Sequence, residues 1–301
     1  MKGKHGLRVR GAWVTGGLFC TLVGMLVPGV ACASVLVRHN LYVSADSDTL
    51  NYKGEVLALL LEKSKAKYGP YTLQKNMQQG WSQSRAYSRL EQDELDVMAT
   101  MTSVERERVA IPVRYCLYKG LLGIRVGMGS VESVKATESV QNLDQLKNVS
   151  VGAVFDWPDF LIMRDAGLNV VRLGDLPSSI GRLQANSFQL LPLGIVEVGP
   201  IAQRNQLATV ASWAIAYPTA YYLFVSKKRP ELAERLNYGF EQAIKDKSFD
   251  RLFERFIGPQ LQAQGLERRT LIYLKNPRLP PETPLQRQEL WHSRVFGNWP
   301  R

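Results

Sequence analysis

The sequence predicts an α/β protein made of two sheet-bearing units, each a mostly parallel sheet flanked by helices. Three observations carry that expectation. From residue 35 to residue 101 short apolar runs alternate with helix-patterned segments, the order that produces parallel sheets. After Gly120 the alternation starts again and continues for about a hundred residues. The run Asp96-Val97-Met98-Ala99-Thr100-Met101 is short and largely apolar, as a strand covered on both faces should be. A polar, arginine-bearing turn follows it directly, which is where open α/β sheets place ligand sites.

In order, residues 35–38 read as a first strand. Residues 54–65 read as a helix, with Leu57, Leu60 and Leu61 at helical spacing, ended by Tyr68-Gly69-Pro70. Residues 71–73 read as a second strand and 82–94 as a helix that Ser82 or Ser84 would cap. After the 96–101 strand and its turn, 121–126 is a second extended run. Residues 140–146 read as a short helix and 149–154 as a buried strand. A helix then runs from Asp156-Trp157-Pro158-Asp159 through 164, with proline in its first turn and an acid near its positive end. Strands at 170–173, 188–193 and 211–216 surround a helix at 178–185. Tyr221-Tyr222-Leu223-Phe224-Val225 is an aromatic strand. Helices at 231–245 and 249–256 follow, the latter with Ser248 as its cap. From residue 276 the chain is proline-rich and extended, with Leu290, Trp291 and Trp299 as apolar anchors.

The N-terminus indicates export. Lys2, Lys4, Arg8 and Arg10 precede a charge-free run over 11–33 that ends in Ala31-Cys32-Ala33, a small-x-small cleavage pattern with no charged stop-transfer flank. Lipidation at Cys32 is the alternative reading. Removal of residues 1–33 leaves 268 residues and lowers the net charge from +11 to +7. Of the three cysteines only Cys116 lies beyond that segment, so no intramolecular disulfide is expected and stability must come from packing. The basic residues are scattered rather than striped with aromatics, which argues against nucleic acid as a partner.

The segment 90–126 resembles the extracellular solute-binding proteins of family 3 from bacterial amino-acid uptake systems. There a helix and an apolar strand lead into a T-x-E-R step, and Ser103-Val104-Glu105-Arg106 stands in that place. The resemblance extends over roughly 35–258. The tail, with Trp157-Pro158-Asp159 and Lys119-Gly120-Leu121-Leu122-Gly123, is similar to a divergent subgroup of exported solute-binding-like proteins. It implies a two-lobed, type II periplasmic binding protein fold. Lobe 1 would comprise 34–120 and 222–265, lobe 2 would comprise 121–221, and 266–301 would be a tail packed on the body. It further implies a monomer that captures a small polar or anionic ligand, amino-acid-like or an organic acid, by hinge closure. An inner-membrane ABC permease or a sensor kinase would be the partner, and no cofactor is implied. The alternative is an interaction or sensory module on the same fold that has lost amino-acid binding.

Carried over residue by residue, the resemblance makes Arg106 the carboxylate anchor, a planar bidentate donor at the mouth of a cleft. Read by itself, Arg106 is a surface partner of Glu105 or Glu107. Thr102 and Ser103 would add donors beside it. In lobe 2 the family's helix-start Gly-Thr is replaced by 156–159. There Pro158 has no N–H, and the carboxylates Asp156 and Asp159 would oppose an anion. Trp157 is read either as a lid over the ligand or as a packing residue. The family's amine-binding Asp becomes Gln189, which leaves Glu197 as the replacement counter-charge or as an ordinary strand end. Arg85, Arg114 and Arg125 are cleft or surface arginines.

Catalysis finds no constellation. His5, His39 and His292 are far apart. There is no H-E-x-x-H, C-x-x-C or G-x-S-x-G, and no phosphate loop. Ser64-Lys65-Ala66-Lys67 matches S-x-x-K without its companion motifs. The chain is therefore expected not to be an enzyme.

Overall fold

A computed structural model describes residues 34–41, 48–75 and 82–295, with Gly6, Gly11 and Gly297. The expected export signal, apart from those two glycines, and the Trp299 anchor lie outside the described residues. The first stretch contains β1 (Val35–His39), α1 (Asp48–Tyr68), β2 (Tyr71–Lys75), α2 (Gln83–Glu91), β3 (Val97–Met101), α3 (Val104–Val109) and β4 (Ile111–Val113). A one-turn 3-10 helix at Leu121–Gly123 leads into β5 (Ile124–Gly129), α4 (Val131–Thr137), α5 (Leu143–Leu146), β6 (Ser150–Val154), α6 (Pro158–Asp165), β7 (Asn169–Leu173), α7 (Leu176–Gln184), β8 (Leu191–Gly194), α8 (Val198–Arg204), β9 (Ala208–Thr209) and β10 (Trp213–Ala216). Then come β11 (Tyr221–Val225), α9 (Pro230–Lys245), α10 (Ser248–Gln264) and β12 (Thr270–Tyr273).

The first sheet has the order β2-β1-β3-β11-β4, with β1 parallel to β2 and β3 and with β11 antiparallel to β3 and β4. Helix α1 buries Tyr52, Val56, Leu57, Leu60 and Leu61, the 3–4 spacing of one apolar stripe, against α9 and α10. The two helices approach so closely that a Cβ on Gly239 would lie 2.3 Å from the Leu60 carbonyl oxygen. Asp96, fully buried just before β3, accepts from Arg38 N at 2.7 Å and pairs with the guanidinium groups of Arg38 (2.7 Å) and Arg229 (2.9 Å). Three chain segments are thereby fixed together at the start of the central strand β3.

The second sheet is mixed, with the order β12-β10-β5-β8. Strand β5 is antiparallel to β10, β8 and β9, whereas β10 and β12 are parallel. The parallel pair β6 and β7 joins it through the Val151–Leu190 bridge. The chain passes from the first sheet to the second between β4 and β5 and returns between β10 and β11. It passes over a third time after α10, because β12 belongs to the second sheet.

Several local expectations change. Residues 121–123 turn as a 3-10 helix before the strand begins, since Gly120 takes a left-handed φ of +79° and breaks the extended run. Helix α10 runs past Pro259 to Gln264. Ser248 is its first residue rather than its cap, Lys247 in the left-handed region being the boundary. Strands β4, β9 and β12, and helices α3, α4 and α8, add to the elements expected.

Past β12 the tail crosses back over the body. Asn276 donates to the Pro218 carbonyl at 2.9 Å, between β10 and β11. The buried Trp291 covers Gly120, where an added Cβ would meet the indole at 2.8 Å. Among the described residues no helix is long and apolar enough to cross a membrane. Cys116 is a free, buried thiol that burial pushes up to about 11.

Candidate functional site

A cavity of about 490 Å³ opens where α2 and α3 of the first lobe face the β6–α6 turn of the second. Three local structures build it. Ser82 caps α2, its hydroxyl accepting from Arg85 N, which leaves the Ser84 N–H of the first turn facing outward. Ser103 caps α3 in the same way, accepting from Arg106 N at 3.3 Å. On the far side Trp157 is the N-cap residue of α6 with Pro158 at the first helical position, so Asp156 projects from the turn ahead of the helix.

Arg106 lies at the centre. Its Nη1 donates to Thr100 Oγ1 and to the Met101 carbonyl, both at 2.8 Å. Its Nη2 donates to Gln83 Oε1 and, across the cleft, to the Asp156 carbonyl at 2.9 Å. The guanidinium carbon is 5.8 Å from the Tyr87 ring centre. All four acceptors are neutral, and among the described residues no carboxylate pairs with Arg106. Glu107 is turned to Arg114 and to the Thr102 hydroxyl instead. Neutral acceptors hold the fork in place while leaving its positive charge uncompensated.

The carboxylate of Asp156 completes the contact from the second lobe. Its Oδ2 accepts from Ser84 N at 3.0 Å and its Oδ1 from the Ser84 hydroxyl. The rest of the wall is mostly apolar and aromatic (Tyr87, Val109, Phe155, Trp157, Pro158 and Leu161), with Ser88, Glu91 and Glu105 set among these residues. Phe155 is 47% exposed. Arg278 from the tail stands at the rim, between Glu105 of the first lobe (3.5 Å) and Asp165 of the second (3.4 Å).

Of the residues singled out in the sequence, Ser103, Arg106 and Trp157 line this cavity. Thr102, Asp159, Gln189 and Glu197 do not. Thr102 is buried, with its hydroxyl given to Glu107. Gln189 turns back to its own sheet, where its Oε1 accepts from Ser150 N at 2.9 Å. Asp159 is buried, where it pairs with Arg125 and accepts from Tyr217 OH. Arg125 Nε also donates to Tyr217 OH at 2.9 Å, and Glu197 lies 4.0 Å from Arg125. Burial opposes the Arg125 charge, but Asp159, Tyr217 and Glu197 more than offset it and raise its pKa. Burial likewise raises the Glu197 carboxyl, against the pull of Arg125 and Lys53. Asp159 thus serves a buried ionic cluster, and Glu197, its side chain 40% exposed, stands at the edge of that cluster. The sequence offered no signal for Gln83, Tyr87, Asp156 as a partner of Ser84, or Arg278, because their roles depend on contacts between distant segments.

No protein-family model matches the sequence, and no curated protein matches it. Its fold does match solved structures. An arginine-specific periplasmic binding protein of Salmonella typhimurium superposes with a TM-score of 0.54 at 13% identity, over 74% of this chain and 99% of its own. A periplasmic His/Glu/Gln/Arg/opine family-binding protein from Silicibacter pomeroyi, in complex with lysine, gives 0.56 at 10% identity, over 75% and 97%. A histidine kinase sensor domain with similarity to periplasmic binding proteins gives 0.54 at 16% identity, over 76% and 97%. The chain therefore has the two-lobed fold of the periplasmic binding proteins. About a quarter of it lies outside each superposition.

Proposed function

We propose that this chain is an exported, non-catalytic receptor that holds a small anionic ligand between its lobes, for transport or for sensing. The observation that carries the reading is Arg106: a fixed guanidinium on the cavity wall, held by neutral acceptors and paired with no carboxylate among the described residues. Such a group attracts a carboxylate, which would bind it by taking the place of the neutral acceptors Gln83 Oε1 and the Asp156 carbonyl on Nη2. The aromatic wall of Tyr87, Phe155 and Trp157 suits an apolar or aromatic ligand body. Solved proteins of this fold include amino-acid-binding receptors and a kinase sensor domain, and both modes of use remain within the proposal. The lobes are taken as 34–120 with 222–265, and 121–221. The tail is assigned a bracing role on both.

A second reading is favoured by one observation. The Asp156 carboxylate already engages the start of α2, which suits an interaction or sensory module on the same fold. Thermal unfolding against amino acids, organic anions and peptides separates the two. A ligand at 100 times its dissociation constant should stabilise the protein by about 2.7 kcal/mol. The receptor reading requires a melting shift that disappears in Arg106→Ala. A shift that persists in that variant removes Arg106 from the site.

A further inference from the structure

Asp156 and Arg106 face each other across the cleft, yet the acidic side chain does not pair with the arginine. It reaches past it to the first turn of α2, where Ser84 supplies an N–H at 3.0 Å and a hydroxyl, while the Asp156 main-chain carbonyl takes Arg106 Nη2 at 2.9 Å. One residue of the second lobe thus satisfies, with a carboxylate and a carbonyl, the donors that the first lobe presents to the cavity. The first turn of α2 adds the favourable end of a helix dipole to that carboxylate. Tyr87, from the middle of α2, lines the same cavity.

We infer that Asp156 is a built-in occupant of the ligand site: its carboxylate on Ser84 and its carbonyl on Arg106 take donors that the carboxylate of a small organic acid would use, and it holds the lobes together until such a ligand displaces it. The inference rests on the anion-receptor reading and adds its regulation. Closure driven by an internal group lowers the apparent affinity for ligand by the fraction of molecules in which the site is already taken. The cavity left beside Asp156 gives the competitor a point of entry. Ser84 and Arg106 are the donors that change hands.

The test is a distance measurement between spin labels on exposed positions of the two lobes, Lys65→Cys on α1 and Glu132→Cys on α4, in the full chain with Cys20→Ser and Cys32→Ser. Wild type should give a single short distance. Asp156→Ala should give a longer and broader one. Asp156→Asn, which keeps one acceptor oxygen and the shape of the side chain, should lie between. Acetate and succinate should restore the short distance in Asp156→Ala, at concentrations at least about tenfold below those that perturb the wild type. An unchanged distance in both variants overturns the inference, whatever the anions do. Opening in Asp156→Ala that neither anion reverses overturns the competition and leaves Asp156 as a plain lobe-to-lobe clasp, while the anion-receptor reading is decided separately by the melting panel and Arg106→Ala.

Discussion

Asp156 and Asp159 are three residues apart and lead opposite lives. Asp159 sits in the first turn of α6, almost fully buried, where it pairs with Arg125 and Tyr217 of its own lobe. Asp156 stands before the helix, half-buried, and its partner Ser84 belongs to the other lobe, 72 residues away in sequence. Pro158 separates the two. By fixing where the helix begins, it sends the second acid inward along α6 and leaves the first on the turn. The same side chain thus serves as internal framework or as cleft contact according to which side of a helix start it occupies.

The comparison is broken most forcefully at Asp159. Asp159→Ala strands the buried Arg125 charge and should cost about 3–5 kcal/mol of stability, read by denaturant unfolding. A loss below 1 kcal/mol would mean the cluster is not framework. The next largest effect comes from pH and sharpens the conditions of comparison. Burial, aided by the charge of Lys75, lowers His39 to about 4, and its Nδ1 accepts from Leu41 N at 3.3 Å. The unfolded chain takes up this proton near pH 6.5 and the folded one only near 4. Stability is therefore full above about pH 6.5 and falls by about 3 kcal/mol as the pH drops to 4. His39→Gln should flatten that limb in a pH series of melting curves. Cleft experiments on Asp156 accordingly belong at pH 7 or above. The smallest effect is the stability change in Asp156→Ala, about 1 kcal/mol or less, because a half-buried contact is screened by solvent. A conformational change with so little cost in unfolding is the signature that separates this acid from Asp159.

How much of this was legible in the sequence follows the range of each interaction. Tyr221–Val225 is recovered with its ends, since five apolar and aromatic residues between breakers leave no competing pattern. The place of Arg106 on a turn after a buried strand is equally local. Thr270–Tyr273 escaped because four residues carry no periodicity, and their partner strand lies more than fifty residues earlier. Thr102 and Gln189 were placed by analogy of position, and their hydrogen bonds to Glu107 and Ser150 turn them away from the cavity. The Asp156–Ser84 contact had no precursor in pattern at all, since only the folded chain brings a turn of one lobe to a helix start of the other.

Strand β12 has a consequence for how the molecule is made. It lies alongside β10 from Trp213↔Thr270 to Ala216↔Tyr273, so this margin of the second sheet is closed only after every other described strand has been made. Until residues 270–273 emerge, β10 is an open border with unpaired peptide groups, a template for strand addition by another molecule. A chain ending at Gly265 would keep that border permanently. It should gather into oligomers during refolding, whereas the full-length chain seals its own seam.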